Sequence, residues 1–364
     1  MKIALLTYST RPRGGVVHTL ALAEALASLG DTVDVWSLAR GGDSGFFRSV
    51  DPRVGLRLVP FPDVDDDTVG ERIIRSIRVL GAAFSPADYD VVHAQDCISA
   101  NAVPDCIRTV HHLDTFTTAE LMACHERAIV MPAAHVCVSS AVAAEIQQGW
   151  GIEATVIPNG VDFARFAEAA DDMVARQAWA DRLGPYVLAV GGVEPRKGTL
   201  ELITAMAMVQ DARPELRLVI AGGETLFDYR SYRESVLARC SALGIVPALL
   251  GVVDHAALPS LVAQASAFAF PSTKEGFGLA AMEALAAGVP VVARDLPVLR
   301  EVFGTAVRYA SSATELGSLL LAATGPPDEM RMLRGRRLAA GFTWARAAEQ
   351  HRALYTRLSP VVVR

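Results

Sequence analysis

Short runs of β-branched residues alternate along this chain with longer stretches rich in Ala and Leu, and they do so in two series. A parallel strand must return through a crossover, usually a helix, so this alternation predicts βαβ units on parallel sheets. Strand candidates in the first series are KIALLTY, TVDVWSL, LRLVP, DVVHAQ, RTVHH and HVCVS. The rhythm breaks at VIPNGVDFARF (Val156–Phe166), where Asn-Gly marks a turn and a more polar helix follows. A second series then runs through YVLAVGG, LRLVIAGG, ALLG, AFAFPS and VPVVA. The fold class expected is α/β, with two doubly wound Rossmann-like domains at residues 1–162 and 163–344. The last helical stretch, WARAAEQHRALYTRL, has no strand after it, so residues 345–364 are expected to cross back to the first domain. Ligands of such sheets lie outside the carboxyl ends of the strands.

The 364 residues suffice for two domains, and 51% hydrophobic with 20% charged residues marks a globular chain. Mean hydropathy is +0.30, yet no apolar run approaches the length of a membrane-spanning helix. The start, MKIALLTYSTRPRGG, does not read as a signal peptide, because its apolar run ends at Thr7. Cys97, Cys106, Cys124, Cys137 and Cys240 show no metal-like spacing, which suits buried thiols in a reducing cytoplasm. A net charge of −6 argues against general nucleic-acid binding. Only Lys2, Lys197 and Lys274 are lysines, and two of these fall in glycine-rich motifs where a compact cation could meet a phosphate.

Two charged segments have competing readings. DVDDD (Asp63–Asp67) could hold a divalent cation, but acidic residues also sit well just ahead of a helix, and TVGERIIRSIRVL follows. That helix carries Arg72, Arg75 and Arg78 at intervals of three. They form either a solvated face or a peripheral contact with an anionic membrane or acceptor.

Three turns carry chemistry. In TYSTRPRGGVVH a strand leads through a loop to Gly14 and Gly15, and paired glycines ahead of a helix let backbone amides approach an anion. A tight turn would use the same glycines. The segment lacks the GxGxxG fingerprint, which counts against a nicotinamide oxidoreductase. In AVGGVEPRKGTLELI, Arg196 and Lys197 precede Gly198 and a helix, an arrangement suited to a diphosphate. It is not a P-loop, because no Gly-Lys-Ser/Thr follows. In TKEGFGLAAMEALAAGVPVV, Glu275 and Glu283 lie eight residues apart around Gly276 and Gly278. Glu283 could accept two hydrogen bonds from a ribose diol and Glu275 one from a sugar hydroxyl; a satisfied core carboxylate and a helix cap are the structural alternatives.

Taken in order, VSSAVAAEI, VIPNGVD, VGGVEPRKG, VIAGG, FPS, EGFGLAAME with ALAAGVPVV, and the final FTW resemble a GT-B fold retaining glycosyltransferase of family 4 over essentially the whole length. The resemblance implies transfer of a hexose-type sugar from a nucleotide diphosphate, UDP before GDP or ADP, to an acceptor hydroxyl, with no metal cofactor. Gly14 and Gly15 would meet the donor phosphate, and Lys197 the leaving diphosphate. Glu283 would hold the ribose and Glu275 the transferred sugar. Gly276, Phe277, Gly278 and Leu279 would line both. The family's active-site histidine falls on His111, with His112 as its rival. Gly192 stands where the family usually carries arginine, and Arg196 is the candidate substitute. An epimerase or phosphorylase on the same fold, and a non-catalytic sugar-nucleotide binder, are the alternatives. The expected location is cytoplasmic, with possible membrane association. The acceptor, whether small molecule, lipid or glycan, is not legible.

Overall fold

The computed structural model describes all residues except 65–66, 114–117, 224–228 and 363–364. Two compact units result, one formed by Met1–Gly160 with Trp344–Arg364 and the other by Val161–Thr343. The division falls just ahead of the expected position. Val161 already donates to Phe342 O, and Asp162 caps the helix Phe163–Asp171, so both belong to the second unit.

In the first unit, β1 (Lys2–Leu6), β2 (Thr32–Arg40), β3 (Val54–Phe61), β4 (Val91–Ala94), β5 (Ile107–Val110), β6 (Ala134–Cys137) and β7 (Thr155–Val156) pair in parallel, in the order β3-β2-β1-β4-β5-β6-β7. Helices cover both faces, so β1 and β4 read as unbroken buried runs rather than alternating ones. The chain winds outward from β1 to β3 and then returns to β4. The switch point therefore lies between β1 and β4, beside the turns that follow them.

The carboxyl-terminal helix Trp344–Val362 is part of this unit. Its buried Ala347, Ala348, Leu354 and Tyr355 join the core formed by Leu20, Leu22 and Leu26 of helix Gly14–Ser28. A fully buried side chain of this size contributes about 1.5–3 kcal/mol.

In the second unit, β8 (Tyr186–Val190), β9 (Arg217–Ala221), β10 (Ala248–Gly251), β11 (Ala267–Phe270), β12 (Val291–Arg294) and β13 (Arg308–Ala310) form a parallel sheet in the order β10-β9-β8-β11-β12-β13. Its switch point lies between β8 and β11. β7 and β13 were not among the expected strands. They are two and three residues long, too short for any alternation to register.

The helix Val69–Ala83 corrects the reading of its three arginines as one outward face. Arg75 pairs with Asp67 at 2.5 Å and lies 4.0 Å from the Phe61 ring centroid. Arg72 is half-buried, and Arg78 alone of the three is exposed. The exposed Ile74 shares that outer surface. The helix start also differs from the acidic-run reading. Thr68 is the N-cap and forms a capping box with Glu71, while Asp67 is engaged by Arg75; Asp65 and Asp66 lie outside the described residues.

Candidate active site

The turns after β8 and β11 meet at the second unit's switch point. Thr273 N donates to Arg196 O at 2.8 Å, tying them together. Gly198 sits at φ +64°, and a Cβ there would lie 2.2 Å from Pro271 O, so only glycine permits this approach. The tie places Lys197 Nζ 2.6 Å from Glu275 Oε1. Arg196 Nη1 reaches the same oxygen and Lys274 O, both at 3.2 Å, and Arg196 Nη2 donates to Glu194 Oε1 at 3.0 Å. Glu275 is thus an ion-pair partner, not the helix cap that was its alternative; Gly278 is the N-cap of helix Leu279–Ala286.

Two cations therefore share one carboxylate beside two helix N-termini, a place where a diphosphate would meet fixed positive charge. Gly192 lines the same crevice as Gly191, Lys197 and Ser272. Ser272 Oγ is buried and has no hydrogen-bond partner among the described residues. Gly276 and Phe277 are buried, and the Phe277 ring packs edge-on against Phe342 at 5.4 Å. Leu279, the first residue of the helix, is half-buried.

Glu283 lies on the second turn of helix Leu279–Ala286, flanked by buried Met282 and Ala284. Burial lifts its carboxyl to about 7, opposed by Arg165 and reinforced by Asp162. A half-buried carboxyl held near neutrality differs from an ordinary surface glutamate and marks a functional candidate.

In the first unit, the structure corrects the expected loop around the paired glycines. Gly14 and Gly15 form the first turn of helix Gly14–Ser28, after the N-cap Arg13. Neither adopts a positive φ. Gly15 instead allows a close approach, since a Cβ there would lie 3.5 Å from the His111 ring. Of the two adjacent histidines, His111 is therefore the one beside this helix start. Its Nε2 is buried and bonded to nothing among the described residues.

His111 belongs to a cluster that the sequence motifs did not reveal. Its ring centroid lies 4.8 Å from that of His18, which is 6.1 Å from His351, which is 5.7 Å from His93. The rings of His18, His93 and His351 are each held by a neutral partner. Asn159 Oδ1 is 2.8 Å from His18 Nδ1, Tyr355 Oη is 2.7 Å and Thr109 Oγ1 2.8 Å from the two His93 nitrogens, and Ala347 O is 2.8 Å from His351 Nδ1. Burial, aided for His18, His93 and His111 by neighbouring histidines, pushes all four below the usual imidazole range: His111 to about 3, His351 to about 4, His18 and His93 well below. They are neutral at pH 7. Gln95, which follows β4, is fully buried with neither amide atom hydrogen-bonded among the described residues. The signal for His18 was its place one turn into the helix after Gly14-Gly15; His351 and Gln95 carried none.

Among the described residues there is no group of three or more His, Cys, Asp or Glu side chains placed to hold a metal ion. No helix among them is long and apolar enough to cross a membrane.

Two parallel doubly wound units with phosphate-suited turns at the switch point define a GT-B glycosyltransferase. The family models for Glycosyltransferase Family 4 and for Glycosyl transferases group 1 match residues 12–165 and 176–313. The chain belongs to the group 1 glycosyl transferases of family 4. It is 29% identical to a phosphatidyl-myo-inositol mannosyltransferase of Mycobacterium tuberculosis, over 98% of this chain and 96% of that one. Among solved structures it is similar to the sucrose-phosphate synthase of Thermosynechococcus elongatus, with a TM-score of 0.79 at 22% identity and 98% coverage of each chain. It is also similar to Anabaena Alr3699/HepE in complex with UDP-glucose, with a TM-score of 0.72 at 18% identity, covering 98% of this chain and all of that one.

Proposed function

We propose that this glycosyltransferase moves a hexose-type sugar from a nucleotide diphosphate to an acceptor hydroxyl with retention of anomeric configuration. The observation that carries the reading is the shared contact of Lys197 and Arg196 with Glu275, on the turns that meet at the second unit's switch point. Arg196 brings its charge to the carboxylate that Lys197 contacts, which offsets the arginine missing at Gly192.

In this reading the C–O bond between sugar and diphosphate breaks, and charge grows on the leaving phosphate. Lys197 and Arg196 stabilise that charge more in the transition state than in the ground state. The acceptor oxygen forms the new bond from the same face, and its proton passes to a departing phosphate oxygen. This route accounts for the lack of a glycosidase-type carboxylate pair in the motifs. Glu283, as a carboxylate, accepts from the ribose diol. Glu275 accepts from the sugar. We assign Gly15 and neutral His111 of the first unit to substrate binding, and the backbone of Gly276 to Leu279 to the donor's sugar and phosphate. The built-in cations stand where a metal would otherwise serve.

UDP is proposed first, with GDP and ADP next; the Anabaena neighbour holds UDP-glucose, and the mycobacterial relative is a mannosyltransferase. A thermal-shift series with UDP, GDP, ADP and NAD tests the donor class, because a ligand that binds only the folded state raises the melting temperature by mass action. One nucleoside diphosphate should raise it in a concentration-dependent way. No shift with any of them would defeat the reading.

A further inference from the structure

We propose that the second unit carries a separate binding site for a small apolar monocarboxylate, at the end of its sheet opposite the donor crevice. This goes beyond the glycosyltransferase reading and does not depend on it.

A cavity of about 280 Å³ lies beside the amino-terminal ends of β11, β12 and β13, where Ser266, Val291 and Arg308 line it. The crevice around Gly192, Lys197 and Ser272 sits at the carboxyl ends of β8 and β11, so the length of the strands separates the two. The volume is at the small end of the range for ligand pockets, about 300–1,000 Å³, which limits the occupant to a small molecule.

Three helices build the walls. Leu285 comes from helix Leu279–Ala286, Ala323 from the end of helix Ala313–Ala323, and Met332 from helix Glu329–Gly341. Leu285, Val289 and Ala323 are buried, and such a lining favours an apolar body. A Cβ on Gly335 would lie 2.8 Å from Leu285 Cδ2, so this glycine seats helix Glu329–Gly341 directly on the Leu285 wall.

The polar end is formed by Arg308, Arg331 and Asp328. Arg331 is fully occupied: Nη1 donates to Thr305 O at 2.8 Å and Val307 O at 3.0 Å, and Nε to Asp328 Oδ2 at 3.1 Å. Arg308 is not. Among the described residues its guanidinium meets only Asp328 Oδ2, at 3.5 Å, although three-quarters of the side chain is shielded from solvent. Asp328 is itself the N-cap of helix Glu329–Gly341 and accepts from Arg331 N. Two guanidiniums against one carboxylate leave a charge of +1, carried by the side chain with donors to spare.

One negative charge balances Arg308, and the two oxygens of a carboxylate match the fork of a guanidinium. A phosphate dianion fits less well. It would set a second charge beside Asp328 and beside the carboxyl-terminal ends of two helices, whose carbonyls carry partial negative charge.

Calorimetry with benzoate and phenylacetate, against benzyl alcohol and acetate, tests the inference. Benzyl alcohol keeps the ring without the charge, and acetate the charge without the ring. At least one aromatic carboxylate should bind one-to-one, and about tenfold or more tighter than either control, as for loss of a charged hydrogen bond or of the buried body. Arg308→Gln removes the charge partner, and Ala322→Phe, at the exposed mouth, fills the space; each should weaken binding about tenfold or more. Melting temperatures without ligand check that both variants are folded. Failure of both aromatic carboxylates to bind the wild type, equal affinity for either control, or undiminished binding by either folded variant would overturn the inference. UDP affinity, measured on the same samples, bears on the donor reading alone.

Discussion

Lys197 Nζ and Glu275 Oε1 stand 2.6 Å apart, and both side chains are largely shielded from solvent. The stem of Lys197 lies along Gly191, where a Cβ would approach its Cε to 3.2 Å. The ammonium is thus held from two sides before any donor arrives. Such preorganisation is how fixed charge acts on a transition state without reorganising during the reaction.

The pair makes Glu275 a restraint on diphosphate binding as well as a proposed sugar ligand. Removing its charge releases Lys197 and Arg196 from this shared carboxylate, a gain toward the diphosphate of about 1 kcal/mol when the charges are screened as in bulk water. Glu275→Gln should therefore bind UDP about three- to tenfold more tightly while turning over donor sugar about a hundredfold more slowly. Calorimetry and a donor-consumption assay, run together, check the opposite signs.

Glu283 gives a pH signature. Its folded pKa is raised to about 7, above the usual glutamate value, so the empty protein holds the proton below pH 7. Binding a ribose diol favours the carboxylate, which accepts both hydrogen bonds. Affinity for a nucleotide-diphosphate sugar should rise as pH increases from 5 to 7 and then level off, by about tenfold per unit at the steepest part. Glu283→Gln should bind more weakly and lose this dependence. A sugar nucleotide is the right probe, because its diphosphate does not itself titrate in this range.

The histidine cluster predicts acid sensitivity. Each ring is neutral when folded and accepts a proton near pH 6.5 when unfolded, so the unfolded state binds more protons below that value. Stability should be flat from pH 8 to 7 and fall from about 6.5 toward 4, where His351 reaches its lowered value, and His111 continues the fall below that. His351→Gln should reduce the steepness of this fall. Denaturant titrations at intervals across pH 4–8 measure the slope.

Gly222 supports the site from behind. A Cβ there would lie 2.2 Å from the backbone of Gly191, which packs on Lys197. Gly222→Ala must move one backbone, at a cost of about 1–3 kcal/mol for overpacking. The melting temperature should fall, and turnover should fall further than the stability loss explains. Turnover unchanged at a temperature where the variant is folded would detach Gly222 from the site.

Much of this was legible because strand-to-helix turns on a doubly wound sheet are local. Lys197 and Glu275 each sit within a few residues of a strand end, so topology alone brought their turns together. What remained hidden depends on distant partners. His351 reaches His93 only because the carboxyl-terminal helix packs on the first unit. The i, i+3, i+6 spacing of Arg72, Arg75 and Arg78 gave no sign that Asp67 and Phe61 would claim Arg75. Gly14 and Gly15 suggested a loop, but Arg13 in an extended conformation starts the helix earlier.

Donor consumption by the purified protein, compared with Lys197→Ala and Glu283→Ala, tests the central claim most directly. The wild type should consume one nucleotide-diphosphate sugar. Lys197→Ala should lose about a hundred- to a thousandfold in turnover, as for loss of one transition-state donor, while Glu283→Ala should lose mainly affinity. Unchanged turnover and affinity in both variants would contradict the account.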